Sequence, residues 1–244
     1  MLPVQQRLPS LMDPPVAFGH RGARAHAPEN TIESFRLALK LGATGLESDV
    51  WLTSDGVAVL DHDGVVRSLL RKKAIRDVPR SALPAHIPTV AEFIDACGTD
   101  FHLSLDIKDP DAGPTVIHTV RDAGAALLPR LWLCRTTWQG LSGLRQLSDE
   151  VKLIESTRLA RIKEGPERRA ATLASEGIDG INLHHTDWNG GLVALFHRFE
   201  RFALSWDIQF EDGLRTAFRM GVDGLFSDWV DRMMSVYADE IGSV

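Results

Sequence analysis

Short apolar runs that break off at glycine or a charged residue recur along the chain, separated by stretches with helical spacing of apolar positions. Val16–Gly19 is the first run, Gly45–Val50 the second, and Val57–Asp61 a third that follows the Ser54-Asp55-Gly56 turn. Each reads as a buried strand that ends in a loop. Between the first two, Ile32, Phe35, Leu37, Ala38, Leu39 and Leu41 give a helix with a broad apolar face. Its start is expected at Asn30 or Thr31, because Asn30 and Glu33 have capping-box spacing, and its stop at Gly42. Residues 1–15 read as an irregular arm. Residues 64–88, mixed in charge and without strong periodicity, read as a short insertion or long loop, after which Pro88-Thr89 opens a helix through Cys97.

From there the pattern becomes regular. Strands are expected at Phe101–Ile107, Arg130–Cys134, Val151–Glu155, Ile178–Leu183, Phe202–Trp206 and Gly224–Ser227. Helices follow them at Pro114–Ala123, near Trp138–Leu147, within Pro166–Ser175, near Leu192–Phe199, at Asp212–Met220 and at about Val230–Ala238. With the first two strands this makes eight strand–helix units. Strict alternation implies parallel strands with right-handed crossovers, and that many units in a chain of 244 residues is the size of a (β/α)8 barrel. The expectation is therefore an α/β protein with a single TIM-barrel domain over 16–244. A doubly wound open sheet is the alternative, and the first strand lacks the GxGxxG turn that would favour it.

Composition adds exclusions rather than a function. A hydrophobic share of 44% and a charged share of 25% are those of an ordinary globular protein. The net charge of −6 leaves no basic surplus to neutralise a phosphate backbone, which argues against nucleic acid as a partner. The run Arg71-Lys72-Lys73 reads as a solvated face. Cys97 and Cys134 are far apart and read as reduced, buried thiols. The first fifteen residues contain prolines and no continuous apolar run, so neither a signal peptide nor an integral membrane segment is expected, and the location expected is cytoplasmic.

The barrel reading gives the charged positions their meaning, because such enzymes work at the carboxyl ends of the strands. His20 and Arg21 end strand one, Glu47 and Asp49 share a face of strand two, and His62 follows the next short strand. Asp106 and Lys108 end a later strand on one face, and Trp206-Asp207 end another. Three carboxylates, Glu47, Asp49 and Asp106, offer all-oxygen ligation suited to Mg2+ or Ca2+. Arg21 and Lys108 add positive charge, so the group expected at the mouth is an anion, with phosphate the natural one. His20 and His62, with ordinary pKa values near about 6.5, can accept and donate a proton at neutral pH. Base, acid, cation and cationic clamp together suit phosphodiester cleavage. His86, His102, His118 and His197 read as structural; His184 and His185 end a strand but match no motif.

At this point the chain resembles the glycerophosphodiester phosphodiesterases, metal-dependent (β/α)8 barrels. The resemblance rests on His20-Arg21, Glu47-Ser48-Asp49 and His62-Asp63, then on Pro28-Glu29-Asn30-Thr31, Ile87-Pro88-Thr89 with Glu92, Leu105-Asp106-Ile107-Lys108 and the closing Gly221–Asp228 segment. It covers about residues 16–230. It implies an acid–base pair of His20 and His62, a divalent metal on Glu47, Asp49 and Asp106, and substrate contacts from Arg21, Lys108 and Trp206. It also implies a small-molecule substrate, a glycerophosphodiester hydrolysed to sn-glycerol 3-phosphate and an alcohol. Related readings are a lysophospholipase D acting on lipid-tailed diesters and a non-catalytic phosphoester-binding barrel. The chain departs from the family in carrying Asp106 where Glu is common. It also has Trp206-Asp207-Ile208-Gln209 where Trp-Thr-Val-Asn is usual, which leaves roles for Asp207 and Gln209 open.

Overall fold

In the computed structural model, which describes residues 7–68 and 71–242, the first apolar run forms strand β1 (Val16–Gly19). Residues 1–6 of the expected arm, 69–70 of the insertion and 243–244 lie outside the described residues. The chain continues through α1 (Ile32–Lys40), β2 (Gly45–Leu52), β3 (Ala58–Leu60), β4 (Val65–Ser68), β5 (Arg71–Ala74) and α2 (Val90–Cys97). Then come β6 (His102–Ile107), α3 (Ala112–Gly124), β7 (Leu131–Arg135), β8 (Lys152–Thr157), α4 (Pro166–Ser175) and β9 (Gly180–His184). The described chain closes with α5 (Gly190–Arg198), β10 (Phe202–Trp206), α6 (Glu211–Met220), β11 (Gly224–Ser227) and α7 (Val230–Glu240).

The strands hydrogen-bond in the order β1-β11-β10-β9-β8-β7-β6-β2, and β1 also pairs with β2, so the sheet closes on itself. Every pairing around the ring is parallel; β3 lies antiparallel on β2. This is the expected eight-stranded TIM barrel. The closing seam is short: Phe18 pairs with Gly45 and Gly19 with Leu46, whereas β1 meets β11 through four registered pairs.

Alternation along the strands sorts the side chains. Ala17, Leu46, Leu103, Leu105, Leu133, Leu153, Ile181, Leu183 and Leu225 face outward into the core shared with the helices. Val16, Phe18, Trp132, Cys134, Ile154, Leu204 and Phe226 fill the barrel interior. There Phe18 stacks on Phe226 at 4.6 Å and meets Trp132 edge-on at 6.0 Å. The same alternation turns Glu47 and Asp49 inward, because Leu46 between them faces out.

Three local expectations are corrected. Thr31, not Asn30, caps α1, accepting from the Ser34 amide at 3.2 Å. Asn30 instead sits at φ +56°, outside the extended conformation of an N-cap, and its Oδ1 accepts from Ser48 Oγ. No α-helix follows β7. Trp138–Gly140 and Ser142–Gln146 form short 3-10 turns, since Gly140 and Gly143 weaken helix propagation. Finally, the insertion holds a β4–β5 hairpin, and a small core of Val59, Val66, Ile75, Val78, Leu83 and Ile87 packs it on the barrel. Among the described residues no helix is long and apolar enough to cross a membrane.

Candidate active site

Where β1 ends, the chain turns sharply: Arg21 has φ +53° and Gly22 φ +84°. A Cβ on Gly22 would lie 2.5 Å from Ser34 Oγ, so only glycine lets this loop pass against α1. The turn aims His20 and Arg21 into the carboxyl mouth of the barrel. The Arg21 amide donates to Glu47 Oε2 at 2.9 Å, and its guanidinium lies 3.1 Å from Glu29 and 3.5 Å from Asp49. Strained backbone at a ligand-facing loop of this kind is a mark of functional sites.

The interior-facing carboxylates of β2 and β6 converge. Register places Asp49 beside Asp106, and ligand oxygens of Glu47, Asp49 and Asp106 all lie within 4.8 Å of one another. Lys108 bridges two of them, 2.9 Å from Asp49 and 3.2 Å from Asp106. Glu47 and Asp49 are buried and Asp106 is partly exposed, and Lys108 with the Arg21 guanidinium beside Asp49 leaves Glu47 with no lysine or arginine side chain bridging it among the described residues. Burial pushes the Glu47 carboxyl up to about 8, opposed by His20 and reinforced by Asp49 and Asp106. Burial likewise raises Asp106, with Lys108 opposing and Asp49 adding to the effect. A divalent cation relieves this repulsion, and the donor set fits one: all three ligands are hard oxygens, and the buried Asp49 Oδ2 takes no hydrogen bond from the described residues.

The His20 ring is held from the far side. Its Nδ1 lies 2.6 Å from Asp228 Oδ1, at the end of β11, and its Nε2 lies 3.7 Å from Glu47. Burial opposes charge on the ring, but Glu47 and the Asp228 hydrogen bond outweigh it, so His20 titrates above its ordinary value.

These groups line a cleft of about 600 Å3. It brings together seven of the expected site residues: His20, Arg21, Glu47, Asp49, Asp106, Lys108 and Trp206. His62 is not among its lining residues. It follows β3 with its side chain 38% exposed and Nδ1 2.8 Å from Asp63. Asp207 lines the cleft at φ +64°, and its Oδ2 lies 3.3 Å from His184 Nε2. Gln209 binds outside the cleft instead, accepting from the Asp228 amide at 3.0 Å and so bracing the loop that carries Asp228.

A model of the glycerophosphoryl diester phosphodiesterase family matches residues 20–232. The chain belongs to that family. The Bacillus altitudinis glycerophosphodiester phosphodiesterase is 23% identical over 90% of this chain and 96% of its own length. The rat glycerophosphodiester phosphodiesterase 1 is 56% identical over 50 residues, but these are 20% of this chain and only 15% of that relative. Among solved structures, the Thermotoga maritima glycerophosphodiester phosphodiesterase superposes with TM-score 0.79 at 22% identity, covering 91% of this chain and 97% of that one. An Oleispira antarctica phosphodiesterase, solved in complex with its product sn-glycerol-3-phosphate, superposes with TM-score 0.77 at 23% identity, covering 91% and 96%.

The chain spans only 11–15% of the length of several curated relatives it matches, and its kinship with phosphodiesterases rests on the family match over residues 20–232. Asp228 escaped the sequence reading as a site residue. The only available signal was its place directly after the last strand, in the closing segment that carries the resemblance.

Proposed function

We propose that this chain hydrolyses glycerophosphodiesters to sn-glycerol 3-phosphate and an alcohol, with a divalent metal held by Glu47, Asp49 and Asp106. The observation that carries the reading is the meeting, in one cleft, of this carboxylate cluster with a carboxylate-oriented histidine and two cationic side chains. Mg2+ or Ca2+, when bound, supplies positive charge against the phosphoryl oxygens.

The chain's own groups divide the remaining work. Arg21 and Lys108 orient the diester and neutralise its negative charge. Asp228 accepts from His20 Nδ1–H, which leaves Nε2 as the basic atom facing the cleft. His20 Nε2 takes a proton from the nucleophile, either water directly or the neighbouring glycerol hydroxyl with water then opening the cyclic phosphate, and His62 gives a proton to the departing alcohol oxygen as its bond to phosphorus breaks. Trp206 forms a side wall that limits how the substrate can turn.

The test is release of glycerol 3-phosphate from glycerophosphocholine and glycerophosphoethanolamine with Mg2+, with Ca2+ and with EDTA, beside His20→Ala and His62→Ala. Turnover with a metal, lost with EDTA and reduced on the order of 100-fold or more in each variant, is expected. A folded protein that binds metal but turns over neither substrate overturns the reading in favour of a binding barrel.

A further inference from the structure

The wall of the cleft opposite the carboxylates is built differently. Strands β8, β9 and β10 supply Ser156, Asn182 and Trp206 to it, and Phe226 of β11 adds an apolar surface. Asn182 faces inward, because its neighbours Ile181 and Leu183 belong to the outer core. It is only 5% exposed. Its Nδ2 donates to Ser156 Oγ at 3.3 Å, yet its Oδ1 has no hydrogen-bond partner among the described residues. Trp206 Nε1, on the neighbouring strand, has none either.

A buried polar atom left unpaired is destabilising, so such an atom favours a ligand group that can pair it. Here one orphan acceptor and one orphan donor belong to two residues that line the same cavity, each atom just beneath its surface. A hydroxyl both accepts and donates, so a single hydroxyl-bearing group can satisfy both. A hydrocarbon chain would leave both unpaired, and a quaternary ammonium has no proton for Asn182 Oδ1 and no acceptor for Trp206 Nε1. This wall, which also carries Arg158 over the Trp206 ring and Asp207 just past it, thus offers a hydroxyl group an acceptor and a donor.

We infer that Asn182 is a specificity-determining residue that reads the terminal hydroxyl of the substrate's glyceryl group, with Trp206 Nε1 donating to the same group. The inference rests on the proposed function, since it assigns the glyceryl half of that substrate to this wall.

A two-by-two comparison tests it. One substrate is glycerophosphoethanolamine; the other is its 2-hydroxypropyl analogue, which lacks only the terminal hydroxyl. The enzymes are the metal-loaded wild type and Asn182→Leu, with Asn182→Ala as a second replacement of opposite packing demand. Removing the hydroxyl is expected to lower kcat/KM of the wild type roughly 10- to 100-fold and that of the folded variants less than about threefold. Equal losses in wild type and variant overturn the inference and leave the proposed function standing, as does a wild type that does not discriminate. A wild type inactive on both substrates overturns the proposed function and this assignment together.

Discussion

Asp228 and His20 lie 2.6 Å apart, and Arg24 lies 3.5 Å from the same carboxylate. A carboxylate in that position selects the ring tautomer, so a neutral amide of the same shape tests orientation alone. Asp228→Asn is expected to lower kcat on the order of 100-fold while leaving the melting temperature nearly unchanged, read by steady-state kinetics and thermal melting. At the opposite, amino end of the barrel a different histidine sets a pH limit on stability. Trp132 Nε1–H donates to His102 Nδ1 at 3.0 Å, which requires that nitrogen to be unprotonated. Burial, then Lys152 and Arg130, push the His102 pKa down to about 4 from 6.5. The unfolded chain therefore binds a proton before the folded one does. Stability from this group is complete above about 6.5 and falls as pH drops toward 4. Urea midpoints at pH 7 and pH 4.5 should differ less for His102→Gln than for the wild type. At this scale the charged groups of the cleft were legible because each closes an apolar run at a strand's carboxyl end. Asn182 was not, since an interior amide in the middle of a strand leaves no mark on the apolar pattern. Nor does spacing reveal that His62 falls outside the cleft's lining residues, because that depends on where β3 stops.

Two elements owe their positions to polar contacts that periodicity cannot express. Helix α2 begins with a capping box in which Thr89 Oγ1 accepts from the Glu92 amide at 3.0 Å and Glu92 accepts from the Thr89 amide at 2.7 Å. Thr89→Ala should cost about 1 kcal/mol, seen as a lower urea midpoint with an unchanged slope. Helix α4 is tied to β8 by Arg169, whose Nη1 lies 2.5 Å from Glu155 Oε1; Glu155 is 1% exposed. Burial raises the Glu155 pKa, and the hydrogen bond and charge of Arg169 oppose the rise. Arg169→Met leaves that carboxylate buried and alone, an expected loss of about 3 kcal/mol by chemical denaturation. A Glu155→Leu, Arg169→Met double variant should recover much of it. The capping box could be read from Thr89 and Glu92 because it is local in sequence. The segment after β7 could not, because its fate turns on distant contacts. Arg145 there donates to the carbonyls of Ser148, Val151 and Gly177, and holds the chain in turns where apolar spacing alone suggests a helix.

The barrel as a whole closes at a tightly packed seam. A Cβ on Gly45 would stand 2.5 Å from Phe18 Cδ1 and 2.8 Å from Val16 Cγ1, at the seam joined by only two registered pairs. Gly45→Ala should destabilise by about 1–3 kcal/mol, and a shorter side chain in Phe18→Leu should recover part of that loss, a non-additivity visible in melting of the double variant. Eightfold alternation made the architecture readable, but the tightness of the seam depends on side-chain contacts between β1 and β2 that alternation does not encode. The same is true of the cleft. The hydrogen bond from His20 to Asp228 joins residues 208 positions apart. Barrel closure and the orientation of the histidine are thus a single event, because a chain with β11 undocked would leave His20 without the partner that fixes its tautomer.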